Sequence, residues 1–105
     1  MPNIARPLFR GAATTTTTTV LYTVPALTTT IVSNIAVTNT AATAATFTLG
    51  MGTAGSNTAI NTLTAIPANT TIYIDLKQVL IATNTITGGA SAVTVSFHIS
   101  GVEIS

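Results

Sequence analysis

Charged residues are scarce in this sequence, which has three basic and two acidic side chains among 105 residues. They make up 5% of the chain, where about 25% is usual for a soluble domain. A net charge of +1 lacks the basic balance that nucleic-acid binding needs. A surface of uncharged hydroxyls and amides also gives weak repulsion between copies. We therefore expect a subunit that associates with itself and does not bind nucleic acid.

Cysteine and tryptophan are absent, and the apolar runs are short. Without cysteine the chain can form no disulfide and no thiolate metal site. No run approaches the roughly 18 apolar residues of a membrane helix, and the segment from Met1 to Arg10 lacks the apolar middle of a secretion signal. We therefore expect synthesis in a cytoplasm and no membrane partner.

Residues for catalysis or metal binding are equally few, because the chain has one histidine and two acids. Nucleophilic and glycosidase chemistry each need several such groups held together. Asp75 and Lys77 are two apart in an alternating segment, which favours a solvated surface pair. His98 has no second metal ligand near it in the sequence; this favours a surface or interface residue, although three copies meeting at an axis could bring three histidines together. The sequence predicts no enzyme and no catalytic, cofactor-binding or metal-binding residue.

Alternation of apolar and polar residues with a period of two is the main structural signal. It is clearest over Thr70–Lys77 and Ala92–Ser100. Turn signals recur about every ten residues, among them the glycine-rich segment 50–57 and the pair Gly88 and Gly89. The pattern predicts an all-β protein: an antiparallel β-sandwich, jelly-roll or immunoglobulin-like, of about seven to eight strands. The predicted core is Val24, Ile31, Ile35, Val37, Phe47, Leu49, Ile72, Ile74, Leu76, Val93, Val95, Phe97 and Ile99.

The first 14 residues lack this alternation and are predicted to form an extended N-terminal arm, followed by the sandwich over residues 15–105. Their two prolines favour an extended backbone, which exposes apolar side chains unless they pack on their own domain or on a neighbour. A disordered terminus is the other interpretation. We expect the sandwich to fold without the arm, and the arm to contact a neighbouring subunit or shell. The predicted interface residues are Arg6, Leu8, Phe9 and Arg10.

Three segments of the chain, between about Leu21 and Ser105, are LYTVPALTTTIVSNIAVTNTAATAATFTL, PANTTIYIDLKQVL and HISGVEIS. Together they resemble small virion proteins of tailed bacteriophages. Members of that family carry a Tyr-x-Val-Pro-Ala-Gly turn, a Val-x-Asn-Thr segment, a Pro-Ala-x-Thr turn and a Ser-Gly-Val-Glu-Ile tail. The chain departs from the pattern at Leu27, where glycine is usual. It matches at Tyr22, Val24, Pro25, Ala26, Val37, Asn39, Thr40, Pro67, Ala68, Ser100, Gly101, Val102, Glu103 and Ile104.

The resemblance implies a non-enzymatic structural subunit of a bacteriophage virion, made in the host bacterial cytoplasm. It points to an oligomeric decoration (cement) protein on the capsid, by analogy a trimer, with a neck or tail component as the alternative. The implied partners are copies of itself and the major capsid protein or tail proteins. A carbohydrate-binding β-sandwich module is an alternative from another class. Such modules present an aromatic platform, whereas this chain has only Tyr22 and Tyr73 besides its phenylalanines.

Overall fold

A computed structural model describes residues 3–53 and 57–104. Within these ranges the chain forms eight β-strands, and no helix there is long and apolar enough to cross a membrane. The strands are β1 (Asn3–Ala12), β2 (Val20–Thr23), β3 (Thr29–Asn39), β4 (Ala45–Thr53), β5 (Thr58–Ile66), β6 (Thr70–Leu80), β7 (Asn84–Ala90) and β8 (Val95–Ile104).

The strands form two four-stranded antiparallel sheets, in the orders β1-β8-β3-β6 and β2-β7-β4-β5. Each strand of the first half pairs with its mirror partner in the second half: β1 with β8, β2 with β7, β3 with β6 and β4 with β5. The chain is therefore one long hairpin, rolled up until β3 also pairs with β8 and β4 with β7. This is the topology of a jelly roll. The prediction of an antiparallel β-sandwich is confirmed, and of its two forms the jelly roll is the one observed.

The hydrophobic core lies between the two sheets, where alternate side chains of facing strands meet. Phe47 and Phe97 pack edge to face at its centre, with ring centroids 6.2 Å apart. Ile72, Ile74 and Leu76 pack against this core from the edge strand β6 and are only partly buried. The predicted core residues that are confirmed as buried are Val24, Ile35, Val37, Phe47, Leu49, Val95, Phe97 and Ile99.

Two residues were assigned to the core wrongly. A β-bulge at Ser33 shifts the register of β3 against both of its neighbours, and such an extra residue moves the side chains beyond it to the other face. Val32 is therefore fully buried, while Ile31 is only partly buried. Val93 is 63% exposed, because it lies in the turn before β8 rather than in the strand.

Gly88 and Gly89 were predicted to form a turn, but they lie inside β7. The reason is the close approach of another segment, since a Cβ on Gly89 would overlap the carbonyl oxygen of Thr16. The same loop, between β1 and β2, accepts a hydrogen bond of 2.9 Å from the Ala90 amide at the Thr14 carbonyl. The glycines thus let the threonine-rich loop cross the sheet.

In the predicted turn 50–57, residues up to Thr53 continue β4, and Gly55 is outside the described residues.

The segment predicted as an arm is extended, but most of it is an edge strand of the sandwich. Strand β1 pairs with β8 from Asn3, opposite Ile104, to Ala12, opposite Ser96. A bulge at Leu8 turns that side chain into the core, where it is 8% exposed. Residues 3–12 therefore belong to the first sheet instead of extending away from the sandwich, and folding of the sandwich without them stays a prediction. Proline removes a hydrogen bond only at its own position, and an edge strand needs pairing along one side only.

Leu27, the position at which the resembled virion proteins carry glycine, has a φ of 60°. This left-handed conformation favours glycine and costs other residues about 1–2 kcal/mol. The Leu27 side chain is 92% exposed, so core packing does not offset the strain. The turn after Pro25 therefore has the left-handed backbone conformation that glycine usually adopts, although the residue at that position is leucine.

Candidate functional site

A cluster of polar side chains converges on Glu103, near the end of β8. Glu103 is 8% exposed, and the Nε of Arg6 on β1 lies 3.2 Å from its Oε1. The hydroxyl of Tyr22 on β2 donates a hydrogen bond to its Oε2. The hydroxyl of Thr30 on β3 is 2.9 Å from the Tyr22 oxygen, to which it donates because the single Tyr22 proton is already engaged. The cluster therefore joins four strands and both sheets.

The alternation of β8 contains a signal for this cluster that the sequence interpretation missed. Phe97 and Ile99 point inward, and Glu103 has the same parity in the strand. An acid at an inward position needs a partner, because an unpaired buried charge is costly. Its partner Tyr22 lies 81 residues away in the sequence, so the two residues belong to separate motifs and no local pattern pairs them.

The environment of Tyr22 favours its neutral form. Burial, followed by the hydrogen bond to Glu103, raises the pKa of Tyr22 from 10.0 to about 12. The negative charge of Glu103 acts in the same direction, whereas the Thr30 hydrogen bond and the nearby Arg6 lower the pKa. Tyr22 is therefore a neutral hydrogen-bond donor at physiological pH.

This pKa predicts a loss of stability in alkali. The unfolded chain releases the Tyr22 proton near pH 10.0, and the folded chain holds it until about 12. The stabilising contribution is therefore complete below about pH 10 and declines as the pH rises from 10 to 12. We expect Tyr22→Phe to flatten this part of the pH dependence, measured by urea unfolding at a series of alkaline pH values.

Tyr73→Phe is the matched control, because Tyr73 is 70% exposed on the outer face of β6. It should retain the alkaline dependence of the unmodified protein. If the unfolding free energy falls equally between pH 10 and 12 in Tyr22→Phe and in the unmodified protein, the decline does not come from Tyr22.

The four predicted interface residues do not form one surface. Leu8 is buried in the core of its own chain and is not available to a neighbour. Arg6 is about half exposed and paired with Glu103. Phe9 is partly buried against the core, and Arg10 is exposed. A contact of Phe9 and Arg10 with another subunit stays a prediction.

Three other titratable side chains lie on the outer face of the first sheet, away from the Glu103 cluster. Asp75 and Lys77 are exposed on the outer face of β6, and His98 is exposed on the outer face of β8. The Asn34 amide donates a hydrogen bond of 3.0 Å to Asp75. Among residues 3–53 and 57–104, no group of three or more histidines and acids could hold a metal ion. The arrangement of Asp75 fits a solvated surface group, as the sequence indicates.

A groove of about 310 Å³ crosses the outer face of the second sheet, β2-β7-β4-β5. Gly50 and Thr87 form part of its lining, with Val20 on one side and Asn57 and Ala59 on the other. The Asn57 amide lies 3.0 Å from the Thr87 hydroxyl. The side chains lining the groove are uncharged, so an ionic ligand would find no counter-charge there.

Comparison with known proteins identifies the fold but not a family. No family model matches the sequence, and a search of curated proteins finds no match. Among solved structures, the chain is similar to a protein of the T13 particle of infectious bursal disease virus, with a TM-score of 0.58 and 11% identity over 97% of this chain and 30% of that one. It is also similar to a protein of the Gx strain of that virus, with a TM-score of 0.56 and 15% identity over 97% of this chain and 32% of that one.

A pentameric capsid protein isolated from metagenomic phage sequences aligns with 10% identity over 96% of this chain and 59% of that one. Its TM-score of 0.29 is too low to indicate a shared fold. The chain spans about a third of the length of the two bursal disease virus proteins. At these identities the likeness shows the shared fold alone.

Proposed function

We propose that this chain is a non-enzymatic structural subunit of a virus particle. The observation that carries the proposal is the fold, an eight-stranded jelly roll that matches proteins of a virus particle over 97% of the chain. Jelly rolls recur in viral capsid proteins and also in lectins and cupins, so a second observation has to separate these classes. The charge-poor surface supports the virion role, because it does little to oppose close packing of copies.

Within the virion, we propose an oligomeric decoration protein on the outside of a bacteriophage capsid. This finer role has its support in the resemblance to small virion proteins of tailed phages. Two residues of that resemblance, Tyr22 and Glu103, bond to one another across the two sheets of the jelly roll. The partners are the major capsid protein and copies of the chain itself.

The aromatic residues give no support to the carbohydrate-binding alternative. The Tyr22 hydroxyl is engaged by Glu103 and Thr30 between the sheets. Tyr73 is exposed on the other side of the first sheet, so the two tyrosines do not form a joint platform for stacking on a sugar ring.

Immunogold electron microscopy of virus particles whose genome encodes this chain tests the proposal. Antibodies raised against the purified chain should label the capsid shell evenly, and antibodies preabsorbed with the chain provide the control. Label confined to the neck or tail would overturn the decoration role but keep the virion role. Unlabelled particles, together with binding of the chain on a glycan array, would contradict both.

A further inference from the structure

The charged side chains are distributed very unequally between the two sheets. All five of them, and the histidine, lie on β1, β6 or β8, which belong to the sheet β1-β8-β3-β6. The strands β2, β7, β4 and β5 carry none. The loops around them are also uncharged in sequence. One broad face of the sandwich is therefore ionic and the other is neutral.

The neutral sheet also exposes aliphatic side chains at its two edges. Val20 on the edge strand β2 is 55% exposed, and on the opposite edge strand β5 Ile60 is 36% and Leu63 68% exposed. Between these edges lies the groove floored by Gly50 and Thr87. The face thus combines an apolar margin with hydroxyl and amide groups, a composition that packs against a surface of the same kind.

A partner for this face must itself be poor in charge. An ordinary soluble domain has about 25% charged residues, most of them at its surface, and would bring ions onto a face that offers no counter-ion. The neutral face of a second copy meets the requirement. The molecular extents are 45, 25 and 18 Å, so a face that contains the longest direction measures at least 45 by 18 Å. That is enough for the roughly 800 Å² per partner of a standard interface.

We propose that two copies of this chain pack through the neutral outer face of the sheet β2-β7-β4-β5. The same patch then faces itself across a two-fold axis, so the unit formed is a dimer and not the trimer expected by analogy. The ionic face of each copy stays exposed to water. The proposal deepens the self-association in the proposed function, but it is tested on the isolated protein.

Sedimentation equilibrium of the purified chain tests the proposal directly. The unmodified chain should have the mass of a dimer at micromolar concentration. Ala59→Glu, on the exposed edge strand of the neutral sheet, should weaken dimerisation about tenfold or more, because the interface would then hold a charge without a counter-ion. Ala12→Glu is the matched control, since Ala12 is exposed on the edge strand β1 of the ionic sheet. It should leave the mass unchanged.

A mixture of Ala59→Glu and Ala59→Lys gives a second, independent measurement. Opposite charges on one face should restore the dimer in the mixture, while each variant alone is mainly monomeric. Val20→Lys, on the other margin of the groove, replaces Ala59→Glu if that variant lacks the sheet spectrum in circular dichroism. A monomeric or trimeric unmodified chain, or equal weakening by Ala12→Glu, would overturn the proposal. A monomer that still labels capsids would leave the proposed function standing, whereas a dimer absent from virions would contradict that function alone.

Discussion

Replacing Phe97 with alanine should lower the free energy of unfolding by about 3–5 kcal/mol. The Phe97 side chain is fully buried and packs edge to face on Phe47, with an interplanar angle of 66°. Truncation removes both the apolar transfer free energy and the aromatic contact, and it leaves a cavity that both sheets border. Urea unfolding followed by circular dichroism measures the change.

His98→Ala is the control for this prediction, because His98 is the next residue on β8 and points to solvent. Its effect should stay within about 0.5 kcal/mol. If His98→Ala costs more than Phe97→Ala, the inward and outward faces of β8 have been assigned the wrong way round. Because native domains are stable by about 5–15 kcal/mol, the Phe97 variant should also unfold at a clearly lower temperature.

Replacing Asn39 with alanine should lower the free energy of unfolding by about 3 kcal/mol. Asn39 is fully buried at the end of β3, where its amide donates a hydrogen bond of 2.8 Å to the Thr43 carbonyl. The side-chain carbonyl of Asn39 accepts hydrogen bonds of 3.1 Å from the Ala41 backbone amide and 3.2 Å from the Thr94 hydroxyl. The variant leaves these partly buried groups without partners, at about 1–3 kcal/mol for each one that water does not reach.

Asn34→Ala, on the same strand, is the matched control for Asn39. The Asn34 amide bonds to Asp75 at the surface, where water can replace it, so its loss should cost less than about 1 kcal/mol. Hydrogen exchange adds a local measurement. The Ala41 amide should lose protection in the Asn39 variant and keep it in the Asn34 variant. Equal protection in both would show that Asn39 does not hold this loop.

The motifs shared with small phage virion proteins acquire physical roles in the structure. Tyr22 of the first turn bonds to Glu103 of the tail. Asn39 of the Val-x-Asn-Thr segment fixes the loop after β3 and reaches the Thr94 hydroxyl in the loop before β8. A Cβ on Gly101 would overlap the Ile31 carbonyl, so glycine is needed for the close pairing of β8 with β3. These residues specify the fold, which is why the motifs alone do not define a function.

The alternation of apolar and polar residues determined the strands and most of the core. A period of two leaves a side chain only two faces to choose from, so Ile35, Val37, Phe97 and Ile99 could be assigned inward from the sequence. The same argument failed at Ser33, because a bulge adds one residue and reverses the faces beyond it. Nothing in the local pattern of β3 marks that position, since the bulge is fixed by pairing with β6 and β8.

Long-range placement was decided only by the tertiary structure. The first 14 residues have no alternation, yet β1 belongs to the sandwich because the inner neighbour β8 supplies a complete ladder of partners. Glycines that suggest a turn lie in β7 because a distant loop crosses them. In both cases the neighbour that decides the placement comes from another part of the chain.

The scarcity of charge is a property of the sequence alone, and it determined how few groups the chain can use for ionic contacts or for catalysis. The separation of a neutral face from an ionic one was decided by the strand order. Charged positions on β1, β6 and β8 are scattered along the sequence, and they share a sheet only because the rolled hairpin brings those strands together. Composition is fixed before folding, whereas the face that each residue occupies depends on which strands become neighbours.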